Sequence, residues 1–124
     1  MKILIVDDEN QRHFGFKEKY LPENEVINAF TVKEAIAFIQ NTKFDLIHLD
    51  HDLQDFEHFD NGRKPIERTG MDICRYLINN NYMGRIIIHS WNTPASIKMK
   101  KMFEEVGIPV VYEPYSSSTT LNNS

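Results

Sequence analysis

Apolar residues follow two alternating rhythms along this chain. Ile3-Leu4-Ile5-Val6 is a short unbroken apolar run that stops at two acids, the pattern of a parallel strand buried on both faces. Residues 10–20 predict a modest helix closed by Pro22, and Glu25–Phe30 a weaker strand. Thr31 and Glu34 read as a capping box, with Ala35, Ile36, Phe38 and Ile39 as the apolar face of the helix they open. The strongest strand runs from Phe44 to Leu49 and exits into Asp50-His51-Asp52-Leu53. Thr69-Gly70-Met71-Asp72 then opens a third helix, with Ile73, Tyr76, Leu77 and Ile78 as core candidates. A fourth strand, Arg85–Ile88, runs into His89-Ser90-Trp91-Asn92. Thr93 as N-cap and Pro94 in the first turn start a last helix. Ala95, Met99, Met102, Phe103 and Val106 form its stripe, Gly107 its stop, and Pro109–Tyr112 the fifth strand. Five strands with four intervening helices imply an α/β parallel sheet with right-handed crossovers.

The chain has 124 residues, enough for one domain, expected over 1–115. Residues 116–124 are serine, threonine and asparagine with one leucine, and are expected to be a disordered tail. An apolar share of 41% supplies a core without staples. A net charge of −4, from 18 acidic and 14 basic residues, argues against general DNA binding. It leaves room for a phosphorylated small molecule or an RNA end held through a metal. The single cysteine, Cys74, excludes an internal disulfide and reads as a small buried hydrophobe. The N-terminal apolar run stops at Asp7, too soon for a signal sequence or a membrane span, so a cytoplasmic location away from membranes is expected.

Ligands of an open parallel sheet bind beyond the carboxyl ends of its strands. There the chain places Asp7-Asp8, Asp50-His51-Asp52, His89-Ser90-Trp91-Asn92 and Glu113. Carboxylates gathered on one rim repel one another, so a cation is expected among them. A hard divalent ion with oxygen ligands fits that need and also binds phosphate.

In this order and spacing, ILIVDDE, FDLIHLDHDL and RIIIHS resemble the receiver domain of bacterial response regulators, over residues 1–114. The resemblance implies a flavodoxin-like, doubly wound sheet of strand order 2-1-3-4-5. It matches Asp7 and Asp8 to the metal-binding acid pair, Asp50 to the phosphoacceptor and Ser90 to the switch hydroxyl. The sequence departs from the pattern in four ways. Receivers carry a lysine before a proline after strand five, where this chain has Glu113-Pro114, an anion that would repel a phosphoryl group. His51 and His89 join the rim, where histidines ligate metals or move protons; His48, inside the strand, reads as a core histidine, and His13 and His58 carry no signal. The connection from Gln54 to Thr69 is long, and is either a mobile surface loop or a lid whose Arg63, Lys64 and Arg68 replace the lysine. Finally, the tail is too short to supply a fifth helix, which leaves one sheet face open to a partner, a homodimer among the options.

LDHDL, TGMDICRYL and HSWN together are similar to one divergent branch, the cyclic-phosphate-processing receiver-like domains. That likeness implies metal-dependent opening of a cyclic phosphate, with Asp7, Asp8 and Asp50 on the ion. His51 or His89 would move protons, and Ser90 and Asn92 would hold phosphate oxygens. Mg²⁺, Mn²⁺ and Zn²⁺ all remain open, since histidines stand among the acids. Two other readings stay beside it: a regulator phosphorylated on Asp50, and a module that binds a phosphorylated ligand or a protein without turnover.

Overall fold

Buried parallel strands need helices on both faces, and the computed structural model, which describes residues 1–116, supplies them. In chain order the elements are β1 (Lys2–Val6), α1 (Asn10–Tyr20), β2 (Glu25–Ala29), α2 (Val32–Asn41), β3 (Leu46–Leu49), β4 (Asp55–Glu57), β5 (Ile66–Arg68), α3 (Gly70–Asn79), β6 (Arg85–Ile88), α4 (Thr93–Glu105) and β7 (Val110–Tyr112). Five strands form one parallel sheet in the order β2-β1-β3-β6-β7, the expected flavodoxin-like arrangement. Residues 113–116, which follow β7, are not helical, and the expectation that a fifth helix is lacking falls on the residues beyond them, outside those described. The tail beyond Ser116, and with it the expectation of disorder, lies outside the described residues.

The two sheet faces are built differently. Leu4 and Val6, Ile47 and Leu49, and Ile86 and Ile88 pack under α2, α3 and α4, with Ala35, Ile73, Cys74, Leu77, Met99 and Phe103 filling the space between. Ile3, Ile5 and Leu46 point to the other face, which α1 covers mainly through Phe16. Cys74 is buried, and that burial pushes its thiol up to about 12, which leaves an inert packing group.

Local rules explain the boundaries and correct several expectations. Thr31 accepts the Glu34 N–H at 3.1 Å, but Glu34 takes the Phe30 N–H at 2.7 Å instead of closing the box on Thr31. The complete capping box is at α3, between Thr69 and Asp72. Asn92, not Thr93, caps α4: its Oδ1 accepts the Ala95 N–H, and Thr93 already has helical backbone. Gly107, at φ +79°, ends α4 with its N–H on Glu104 and the Ile108 N–H on Phe103, a glycine-type C-cap. Val106 is exposed because it sits at that cap, and Phe38 is exposed because Val32, Ala35, Ile36 and Ile39 already complete the inward face of α2.

The Gln54–Thr69 connection carries secondary structure of its own. It folds into an antiparallel hairpin that pairs Asp55 with Arg68, Phe56 with Glu67 and Glu57 with Ile66. Asp55 anchors it by accepting the Val32 N–H, at 3.0 Å, at the start of α2.

Candidate functional site

Each rim residue is delivered by a ladder bond one step past its strand. Asp50 N–H donates to Val6, His89 N–H to Leu49 and Asp7 N–H to Ala29. The result is a cluster of three buried groups, Asp7, Asp50 and His89, whose donor atoms all lie within 4.8 Å of one another. His89 Nε2 donates to Asp7 Oδ2 at 2.7 Å, while its Nδ1 is buried without a partner. The sharp approach of α3 fixes the far side. Gly70 N–H donates to the His51 carbonyl, and a Cβ on Gly70 would stand 2.0 Å from the Asp50 carbonyl oxygen. Only glycine permits that closeness.

Asp7 and Asp50 are equally hidden yet titrate in opposite directions. Burial pushes Asp7 up, but the hydrogen bond and charge of His89, the Glu9 N–H and Arg12 together hold its carboxyl below the usual range. Asp50 is pushed up to about 6, by burial first and then by the charge of Asp7, against weaker opposing pulls from His89, Ser90 and Arg12. Asp8 is half-buried at the mouth, raised by burial and by Asp7, and lies outside the three-residue cluster.

The cation that sequence reasoning sought in the hairpin lies on α1. Arg12 Nη1 is 3.3 Å from Asp7 Oδ2 and 3.4 Å from Asp50 Oδ2. Its position is readable in retrospect: with α1 starting at Asn10, residues 12, 13 and 16 turn toward the sheet. His13 was also missed. Its Nε2 donates to the Asp7 carbonyl at 2.8 Å, and its Nδ1 meets the Asn28 amide at 2.6 Å, so it braces the acid from behind. By contrast, Arg68 is engaged by Glu57 and, at 3.9 Å, by Asp72. Arg63 lies over the Phe59 ring and Lys64 is exposed. None of these three cations has a contact with the acidic cluster. Glu113 is exposed at the end of β7, where its charge bears on Tyr20 and not on Asp50.

His51, Ser90 and Asn92 surround the mouth. His51 Nδ1 is 2.8 Å from Asp52 Oδ1, an arrangement that puts the proton on Nδ1 and leaves Nε2 unengaged among the described residues. Asn92 caps α4 with Oδ1 and donates Nδ2 to Asp52 at 3.2 Å, tying the His51–Asp52 pair to the helix. Ser90 is buried, with Oγ accepting the Asn92 N–H at 3.1 Å. His48 belongs to the core: Tyr20 meets its Nε2, and burial, then His89 and Lys19, lower its pKa well below the usual value.

The fold has known counterparts. The receiver domain of a putative LuxO repressor protein from Vibrio parahaemolyticus superposes with a TM-score of 0.68 at 18% identity, over 98% of this chain and 85% of that one. A CheY-like receiver domain from Methanospirillum hungatei gives 0.66 at 20% identity, over 98% and 88%. The response regulator TrrA from Thermotoga maritima, solved in complex with Mg²⁺ and BeF, gives 0.69 at 18%, over 98% and 93%. A comparison with curated proteins finds no match. Among the described residues no helix is long and apolar enough to cross a membrane. The family model of the cyclic-phosphate processing receiver domain matches residues 2–105, and the chain belongs to that family.

Proposed function

We propose that this domain is a metal-dependent phosphoesterase that opens a cyclic phosphate. The observation that carries the reading is the buried Asp7–Asp50–His89 cluster, two carboxylates and an imidazole with donor atoms within 4.8 Å of one another. The carboxylate oxygens suit Mg²⁺ or Mn²⁺; His89 would join the ion only by giving up its Nε2–H bond to Asp7, with the proton on Nδ1, and would then suit Mn²⁺ or Zn²⁺. A bound ion supplies a polarised phosphoryl oxygen and an acidified water.

The chain's own residues supply the rest. Asp7, held ionised by His89 and Arg12, keeps a permanent negative charge at the site. Arg12 stands beside both carboxylates, where a guanidinium can pair with phosphate oxygens as the receiver lysine would. His51, oriented through Nδ1 by Asp52, presents Nε2 to accept a proton from the attacking water. The new bond joins that water oxygen to phosphorus, the ring P–O bond breaks, and His51 returns the proton to the leaving oxygen. Ser90 and Asn92 order the mouth, and Asn92 must release Asp52 if its amide is to donate to phosphate.

The test is to incubate the protein with Mg²⁺, Mn²⁺ or EDTA and a panel of nucleoside cyclic phosphates and cyclic-phosphate RNA ends, reading products by mass spectrometry. Metal-dependent ring opening, lost in Asp50→Asn and His89→Ala, is the expected result. Ring opening at full rate in EDTA would sink the metal assignment.

One observation favours a second reading, phosphorylation of Asp50 itself. Arg12, close to its carboxylate, is a partner for an acyl phosphate in place of the absent lysine. A stable acyl phosphate after treatment with a small phosphodonor, without ring opening of any panel member, would select it.

A further inference from the structure

Trp91 is the only tryptophan in the chain, and it is 64% exposed. A single exposed aromatic is ordinary on a protein surface, so what matters is where this one stands. It follows Ser90 and precedes Asn92, on the segment that carries β6 into the acidic rim. The ring has two partners. Nε1–H donates to the Tyr115 carbonyl at 2.7 Å, and the Tyr115 N–H in turn donates to the His89 carbonyl at 2.9 Å. Arg12 lies over the ring, with Cζ 4.8 Å from its centroid, while its Nη1 reaches Asp7 and Asp50. A single guanidinium therefore spans the gap between an open aromatic surface and the carboxylates. The exposure of the indole, with one face under Arg12 and one edge tied to Tyr115, leaves the other face to solvent.

We propose that Trp91 is a stacking platform for a nucleobase, so that the ligand of this site is a nucleoside cyclic phosphate and not a base-free sugar phosphate. The inference rests on the phosphoesterase reading only for where the phosphate lies. A planar base on the indole gains stacking at reduced entropic cost, because the ring already has two partners. The sugar then leads past Asn92 to the rim, and Arg12 meets the phosphate end. Stacking reads any π-face, so the platform accepts all four bases and prefers purines by contact area.

The lone tryptophan makes the test direct. Its fluorescence is followed, with Mg²⁺ and with EDTA, during titration with adenosine 2′,3′-cyclic phosphate and with methyl riboside 2′,3′-cyclic phosphate, which has no base. Quenching by the adenosine compound and not by the riboside is expected. In turnover assays Trp91→Ala raises KM for the adenosine compound about tenfold or more, a size typical of losing one base–aromatic stack. It leaves KM for the riboside unchanged, and Trp91→Phe recovers part of the loss. Equal affinity for both compounds, or a Trp91→Ala defect shared by both, overturns the platform, as does the absence of quenching by either. The two readings fail separately. Ring opening of both compounds at equal KM keeps the phosphoesterase and removes the platform, whereas adenosine-specific quenching without ring opening keeps the platform and removes the phosphoesterase.

Discussion

The two faces of the sheet carry the same number of strands but do different work. Under α2, α3 and α4 the contacts are almost wholly aliphatic and aromatic, and no histidine is among them. Under α1 the strands send His48 inward, and Phe16 packs against a ring of Tyr20, His48, His89 and Tyr115, with centroids 4.4–6.5 Å away. The first face supplies stability. The second holds buried imidazoles within reach of the acidic rim, with Nδ1 of both His48 and His89 buried without a partner, as Ser96 Oγ on α4 is.

If that division is right, truncating one fully buried phenylalanine on each face gives unequal results. Phe103→Ala empties a site walled by fixed helices and is expected to cost about 4–5 kcal/mol in denaturant unfolding. Phe16→Ala is expected to cost about 3 kcal/mol, because half-buried Tyr20 and Tyr115 can move into the space. Equal costs would mean that the α1 face is as tightly built as the other.

Gly70→Ala probes the boundary between stability and site. The added methyl meets the Asp50 carbonyl, so α3 or the end of β3 must shift, at a cost of about 2–3 kcal/mol. Because the displaced backbone carries Asp50 and His51, loss of function beyond the loss of folded protein is expected. Normal activity of the folded fraction would show that the shift is taken up by α3 alone.

Asp50→Asn sharpens the contrast from the other side. An acid raised to about 6 is destabilising when ionised, so in EDTA at pH 7 the amide variant is expected to be more stable by about 2–3 kcal/mol, with the proposed activity lost. A less stable variant in thermal melts would mean that Arg12 and Ser90 compensate the buried charge fully.

Most of the fold was legible because its signals are local: apolar runs for the strands, helical periodicity for α2, α3 and α4, and the rim rule for where the acids gather. Asp7, Asp50 and His89 came out of that rule with no need of tertiary detail. Arg12 and His13 did not, because α1 is weakly amphipathic and its inward face holds an arginine and a histidine where a reader seeks leucines. The hairpin escaped for a related reason. Its strands are three residues each, charged, and pinned by Asp55 to a helix remote in sequence, so no periodicity marks them. Asn92 shows a subtler limit: Thr93-Pro94 is a proper cap sequence, but the asparagine before it also caps, and only the backbone decides between them.

The smallest effect isolates the histidine that the α1 face buries. His48→Leu removes the Tyr20 hydrogen bond but also an unpartnered buried nitrogen, so at pH 7 stability is expected to stay within about 1 kcal/mol of wild type. Its pH dependence is more telling. The His48 pKa is depressed in the folded state, so below the ordinary 6.5 the unfolded chain binds a proton that the folded one refuses, and stability falls as pH falls. Asp50 has the opposite sign: between its ordinary 3.8 and about 6 the folded chain holds the extra proton, and stability falls as pH rises. In metal-free wild type these two contributions oppose one another between pH 4 and pH 6. Relative to wild type, His48→Leu should therefore gain a downward slope with rising pH across that window, and Asp50→Asn an upward one. Each slope approaches about 1.4 kcal/mol per pH unit. Urea unfolding in EDTA at half-unit pH steps measures both, and parallel curves for all three proteins would show that neither group binds protons differently in the folded and unfolded chains across that window.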